Sequence, residues 1–427
     1  MAPAIDGELV TALAGDYNAT HADTSLHSGA VPSGVEVDAY LASLVASVAA
    51  GEAPDLVYMS GTAWQPFATQ GYFHPLDELA GREKWSVAWP GDEASELQTR
   101  LRGKRYLVTF TAQPQVLFLA RQAFAEAGLP LPKPDWLYAD FQEVARRCTV
   151  RSKMTYGYRW SPGYGPNMPW WRMQKHVEWD RLAEPRQARW NAAAVIEAFQ
   201  FQLFDSQYRL RISPTQAELA AAPAAFDLAS GGVAMQVDGP ALLQRLDGRR
   251  SPARKMTREG TGPDAREAPW SEIGAWLDVQ TLPRGRSSGT PHFVPLEGFL
   301  MTKASNDKEA SWEALKWLAG DAAQQRLVER GQMNHTPEAA RRLWLPIARR
   351  RWGLANAEAF IRAMEQGTTT MAGELGEASL LRDSGLSGAL AAIQHGQATS
   401  AREALDAAQP RLQAVLDRYW TRQASIR

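Results

Sequence analysis

Hydrophobic spacing gives the chain two different rhythms. In the first part, Leu9, Leu13 and Tyr17 recur at helical intervals, and Val37, Tyr40, Leu41, Leu44, Val45 and Val48 outline a second amphipathic helix. Between them "SLHSGAV" reads as extended. After them come short apolar runs that end at Gly, Pro or small polar residues: "DLVYMS", "KRYLVTF" and "QVLFLA". Runs of that length and composition form strands, and their alternation with helices predicts an α/β layer architecture.

From about Tyr138 the helical patterns lengthen and the strands thin out. "GGVAMQVDGP" predicts a Gly-flanked buried strand, with Asp238 placed to cap the next helix and Pro240 suited to its first turn. "IGAWLDVQTLP" and "FVPLEGFLMTK" restore strands. Asn306 with Glu309 resembles a capping box opening a helix that carries Leu315 and Leu318, with Trp312 and Trp317 as packing residues. Leu405, Ala408, Leu412, Val415 and Tyr419 predict a packed stripe on a last helix. Residues 249–269 are polar and aperiodic, which predicts a surface loop, and no internal repeat is visible.

At 427 residues the chain exceeds one compact core and implies two domains or more. The net charge of -1 gives no electrostatic footprint for nucleic acid, and Arg349–Arg351 reads as a solvated helix face. Cys148 is the only cysteine, which excludes an internal disulfide and a cysteine-based zinc site. No apolar run approaches the roughly 20 residues of a membrane span. The start "MAPAIDGELV" lacks the pattern of a signal peptide, so either the protein is cytosolic or a leader lies outside this sequence.

Catalytic signatures are sparse. The histidines at 21, 27, 74, 176, 292, 335 and 395 show no metal-binding spacing, and each reads as a surface or capping residue. There is no nucleophile elbow, no phosphate loop and no dinucleotide fingerprint, so no cofactor is implied. The aromatic residues are the anomaly. The stretch "YRWSPGYGPNMPWWRMQ" places Trp160, Trp170 and Trp171 among glycines and prolines, where no neighbouring helical turn covers them. An indole face packs on the C–H face of a sugar, while Asp, Glu, Asn and Gln hydrogen-bond the hydroxyls at its rim. Three charge-assisted bonds and two aromatic contacts sum to a gross ~6–12 kcal/mol, against roughly 8 for a micromolar complex.

The order of motifs then becomes informative. "GEAPDLVYMSGTAWQPFATQGYFHPLDEL", "GKRYLVTFTAQPQVLFLARQAFAEAGLPLPKPDW", "LASGGVAMQVDGP", "VQTLPRG", "LEGFLMTKASNDKEASWEALKWLAG" and "HGQATSAREALDAAQPRL" follow one another from about Ile5 to Tyr419. Together they resemble family 1 extracellular solute-binding proteins, the maltose-binding-protein group. The resemblance implies a two-lobe periplasmic-binding-protein fold of type II, with hinged lobes, an interlobe cleft and a helix-rich C-terminal part. It implies lobe one in residues 1–111 and 280–330, and lobe two in 112–279 and 331–427. It also implies a monomer that captures a carbohydrate by hinge closure and hands it to an ABC transporter permease, without catalysis, in the periplasm or as a cell-surface lipoprotein.

Carried over by position, the resemblance implies ligand contacts at Ser60, Thr62 and Trp64 in a lobe-one loop and at Gln113 on the crossing strand. It implies others at Trp160, Asn167, Trp170 and Trp171, at Asp238, at Glu297 with Gly298, and at Asn334. Some departures stand out. Ala241 replaces a common aromatic, the turn reads "GQMNHTPE", and the lobe-one strand that usually precedes the first helix is either missing or lies outside this sequence. Two alternatives accompany the carbohydrate reading. One is a binder of acidic or phosphorylated solutes (a uronate or glycerophosphodiester) using Arg159 or Arg172. The other is a glycoside hydrolase built on a carboxylate pair.

Overall fold

The computed structural model describes residues 7–29, 37–85, 93–159, 178–246, 273–285, 292–369 and 377–426. Two three-stranded sheets organise them. Sheet one comprises β1 (Leu56–Ser60), β2 (Leu107–Ala112) and β6 (Leu296–Met301), in the order β1-β6-β2, with β6 antiparallel to both neighbours. Sheet two comprises β3 (Val116–Ala120), β4 (Met235–Asp238) and β5 (Leu277–Gln280), in the order β4-β3-β5, again with an antiparallel centre. The apolar runs form these strands because β2, β3, β5 and β6 are buried along their whole length.

The hydrophobic cores divide along the same line. Sheet one is covered on one face by Leu9, Leu13, Trp312, Leu315 and Leu327 and on the other by Leu44, Trp64, Ala68 and Phe73. Sheet two lies in a larger core running from Ala112 to Leu416, which includes Leu282, Phe293, Val294 and Leu296. The molecule therefore has two lobes, and the chain passes between them at residues 112–116. The expected helices Gly7–Thr20 and Val37–Ala50 are present and bring their apolar faces to sheet one.

Helices dominate after Pro337, ending in the 26-residue Ala401–Ile426. Its buried stripe is Leu405, Ala408, Leu412 and Leu416, so the last buried position falls one residue after the predicted Val415, which is only partly buried. The helix Lys308–Ala319 is capped by Asp307, whose carboxylate accepts from the Ala310 amide at 2.8 Å. This corrects the expected Asn306–Glu309 box by one residue. Trp312 is buried and Trp317 packs partly buried against the same core, as expected.

Among the described residues β1 is an edge strand. A cavity of about 830 Å³ runs along it, lined by Leu13, Tyr17, Leu26, Leu44, Leu56 and Phe299. It lies on the outer side of sheet one, away from the passage between the lobes.

Candidate functional site

Three segments lie side by side where the lobes meet. The Gln113 and Gln115 amides donate to Pro295 O at 2.8 Å and Phe293 O at 2.9 Å, which ties the outgoing strand to the returning one. Thr111 Oγ1 donates to Met333 O at 2.6 Å, and Thr111 bridges Asn334, which adds the third segment. The residual backbone groups are satisfied by neutral amides. Gln98 Nε2 donates to Val294 O at 3.0 Å, and its Oε1 accepts from the Leu296 amide at 2.8 Å. Gln324 Nε2 donates to Phe110 O at 3.0 Å. Uncharged amides satisfy strand backbone without placing an unpaired charge in the core.

Strand register brings the ends of both sheets to this waist. Ser60 pairs with Glu297, which pairs across with Thr111; Val116 pairs with Asp238, and Leu117 with Gln280. Ser60, Glu297 and Asp238 thus flank the crossing 112–116 from opposite lobes.

On the lobe-one side, Glu297 is 3% exposed and its Oε2 accepts from the Tyr58 hydroxyl at 2.8 Å. Burial drives the Tyr58 pKa well above its ordinary value, and the Glu297 charge and hydrogen bond add to the shift. Gly298 is required by close strand approach: a Cβ there would lie 2.0 Å from the Val108 carbonyl oxygen. Ser60 and Thr62 are half-buried, with their hydroxyl oxygens 3.4 Å apart. Trp64 is fully buried, and its indole N–H donates to Gln98 O at 2.8 Å. No face of that ring is open, so in this arrangement it anchors the helix Gln65–Thr69.

Gln113 and Asn334 are also interior. Gln113 Nε2 donates to Gln332 Oε1 at 3.2 Å, and Gln332 Nε2 donates to Gln244 Oε1 at 3.2 Å. Asn334 Nδ2 donates to Gln324 Oε1 at 2.8 Å, while its Oδ1 is buried without a partner. On the lobe-two side, Asp238 accepts from the Gly239 amide at 2.8 Å, Arg245 Nη2 at 2.8 Å and Gln236 Nε2 at 3.1 Å. It binds the amide next to it, and the helix Ala241–Leu246 starts beyond it. Arg159, beside β4 on the same sheet, is half-buried, and burial lowers its pKa against the opposing pull of Asp227 and Asp238.

Trp160, Asn167, Trp170, Trp171 and the stretch 249–269 lie outside the described residues. The histidine reading needs correction: His292 and His335 are buried at the waist, and burial holds both pKa values down at about 4. Among the described residues Trp179, Trp190, Trp344 and Trp352 are fully buried as well and serve as packing. The glutamine lattice escaped the sequence reading; its visible trace was the Gln113-Pro-Gln115 spacing between two strands. Among the described residues no cluster of three or more His, Cys, Asp or Glu is placed to hold a metal, and no helix is long and apolar enough to cross a membrane.

Comparison with known proteins agrees with this architecture. A substrate-binding protein from Listeria monocytogenes, solved with cycloalternan, is similar over 96% of both chains with a TM-score of 0.75 and 14% identity. The sugar-binding protein MalE of Xanthomonas citri is similar over 98% of this chain and 96% of its own, with a TM-score of 0.74 and 18% identity. UgpB of Mycobacterium tuberculosis, solved with glycerophosphocholine, is similar over 98% of this chain and 97% of its own, with a TM-score of 0.72 and 18% identity. An uncharacterized lipoprotein of Streptomyces antibioticus is 31% identical over 153 residues, which is 35% of this chain and about a third, 31%, of that relative's length. These structures share the two-lobe periplasmic-binding-protein fold. Residues 4–325 match the bacterial extracellular solute-binding protein family, and the chain belongs to that family.

Proposed function

We propose that this protein is the capture component of an ABC importer for carbohydrates. A mono- to oligosaccharide enters between the lobes, contacts polar groups from both sheet ends and aromatic faces of the 160–171 stretch, and leaves chemically unchanged. Because the guest touches both lobes, it stabilises the closed arrangement over the open one. The observation that carries this reading is the convergence of Ser60, Glu297 and Asp238, from two separate sheets, on the crossing 112–116. The cycloalternan in the Listeria relative and the sugar-binding description of the Xanthomonas one support it. The protein acts outside the cytoplasmic membrane, in the periplasm or tethered as a lipoprotein, as a monomer that meets its permease through the closed lobes. The lobe limits that go with this reading are 1–111 with 280–330, and 112–279 with 331–427.

A second reading, an acidic or phosphorylated solute, draws support from the half-buried Arg159 and from the glycerophosphocholine in UgpB. A thermal-shift panel of neutral sugars, uronates and glycerophosphodiesters tests both. A carbohydrate ligand raises the melting midpoint with concentration, because it binds the folded state alone. No shift with any sugar contradicts the proposal, and a shift confined to anionic solutes selects the second reading.

A further inference from the structure

Arg159 is held in place by its backbone and left unanswered at its side chain. Its amide donates to Met235 O at 2.8 Å, and the residue bridges Gln236 in parallel register, which puts it beside the strand that ends at Asp238. Its Nε is buried with no hydrogen-bond partner, and among the described residues no carboxylate forms an ion pair with it. A buried N–H donor without an acceptor is costly. The half-buried guanidinium thus lies beside the end of β4 with its Nε donor unsatisfied.

The surrounding charges identify the class of acceptor. Arg159 and Arg245 are set against Asp227 and Asp238, so the cluster carries two positive and two negative groups. An anionic ligand would meet two carboxylates and gain no net positive field. A pair of adjacent hydroxyls fits both signs, since its oxygens accept from Arg159 while a hydroxyl proton goes to a carboxylate. Asp238 has room for that proton: it already takes three hydrogen bonds, from Gly239, Gln236 and Arg245, and a carboxylate offers about four acceptor positions. Its side chain is 22% exposed, so a ligand reaches it.

We propose that Arg159 and Asp238 act together as a recognition pair for two neighbouring hydroxyls of a neutral sugar, and that this pair discriminates against acidic sugars. The proposal rests on the carbohydrate reading above and narrows it. The guanidinium fork supplies two parallel N–H donors, and Lys cannot reproduce that geometry.

The test uses the full chain and the variants R159M, R159K and D238N. Melting midpoints are measured without ligand. Titration calorimetry follows, with glucose, maltose, trehalose, glucuronate and glucose 6-phosphate, and with 2-deoxyglucose as a probe lacking one neighbouring hydroxyl. The expected result is a ligand-free midpoint for R159M equal to or above that of the wild type, since an unsatisfied buried N–H donor is removed. Affinity for the best neutral sugar falls at least about tenfold in R159M and D238N, one factor of ten being 1.4 kcal/mol, and R159K does not restore it. A midpoint that drops by several degrees in R159M with affinity unchanged would make Arg159 a packing residue and overturn the proposal. Tighter, salt-sensitive binding of glucuronate or glucose 6-phosphate would overturn it in favour of an anion partner. Wild-type protein that binds nothing in the panel defeats the carbohydrate reading itself, and that failure is visible before any variant is made.

Discussion

Glu297 in lobe one is buried near the waist and Arg159 in lobe two is half-buried near it, and their surroundings differ. Glu297 is 3% exposed and holds the Tyr58 hydroxyl at 2.8 Å inside sheet one. Arg159 keeps a buried Nε with no partner and no ion pair among the described residues. A buried charge that the chain itself satisfies belongs to the frame, and removing its partner loosens the fold. The unsatisfied Arg159 donor is the one the proposal assigns to a ligand. Among the neutral groups, Gln98 and Gln324 bond to strand backbone and Gln113 to Gln332, whereas Asn334 satisfies its Nδ2 on Gln324 but leaves its buried Oδ1 without a partner.

The largest effect on this frame comes from pH. His292 and His335 have folded-state pKa values of about 4, against an ordinary value of 6.5 in the unfolded chain. The unfolded state therefore binds more protons in that window. Stability is fully present above pH 6.5 and falls as the pH drops toward 4, by about 3 kcal/mol for each histidine. Denaturant midpoints between pH 7 and pH 4 check this, and replacing both histidines by Gln should flatten the profile. Next in size is Trp64→Ala, which empties a fully buried site and should cost about 3–5 kcal/mol while sugar affinity per folded molecule is unchanged. A loss of affinity without a loss of stability would return Trp64 to the ligand site.

Gly298→Ala pushes a methyl toward the Val108 carbonyl and should cost about 3 kcal/mol, read from urea unfolding. Tyr58→Phe deprives Glu297 of its hydroxyl donor and should cost about 1–3 kcal/mol with binding intact, the reverse of what is expected for R159M. If Tyr58→Phe abolished binding and left the melting midpoint unchanged, the contrast between the two charges would collapse. The smallest effect is at the Asp16–Arg326 pair, which joins the first helix to Asp321–Glu329 at 2.6 Å and is more than a third exposed. Asp16→Asn should cost less than about 1 kcal/mol and vanish in high salt.

Strands and helices were readable from the chain because their signals are local. "DLVYMS" and "QVLFLA" became β1 and β3, and Leu9, Leu13 and Tyr17 became a buried helix face. The errors were of one residue, at Asp307 and Leu416, where a cap or a helical pitch had to be placed without its neighbours. Site residues were less readable because their roles depend on distant partners. Tyr58 and Glu297 are 239 residues apart in sequence, and Gln113 meets Gln332 across 219. Tryptophan count alone does not separate roles for a related reason: an indole that roofs a core and one that faces a sugar look alike until burial is known, as the buried Trp64 and Trp190 illustrate.

The most direct test is a crystal structure of the protein grown with the sugar that shifts its melting midpoint furthest. Density for that sugar between the lobes, within hydrogen-bond distance of Arg159 and Asp238 and facing the waist at Ser60 and Glu297, is the predicted result. A sugar seated elsewhere, such as the cavity along β1, or lobes that stay apart with the waist empty, would contradict capture by closure.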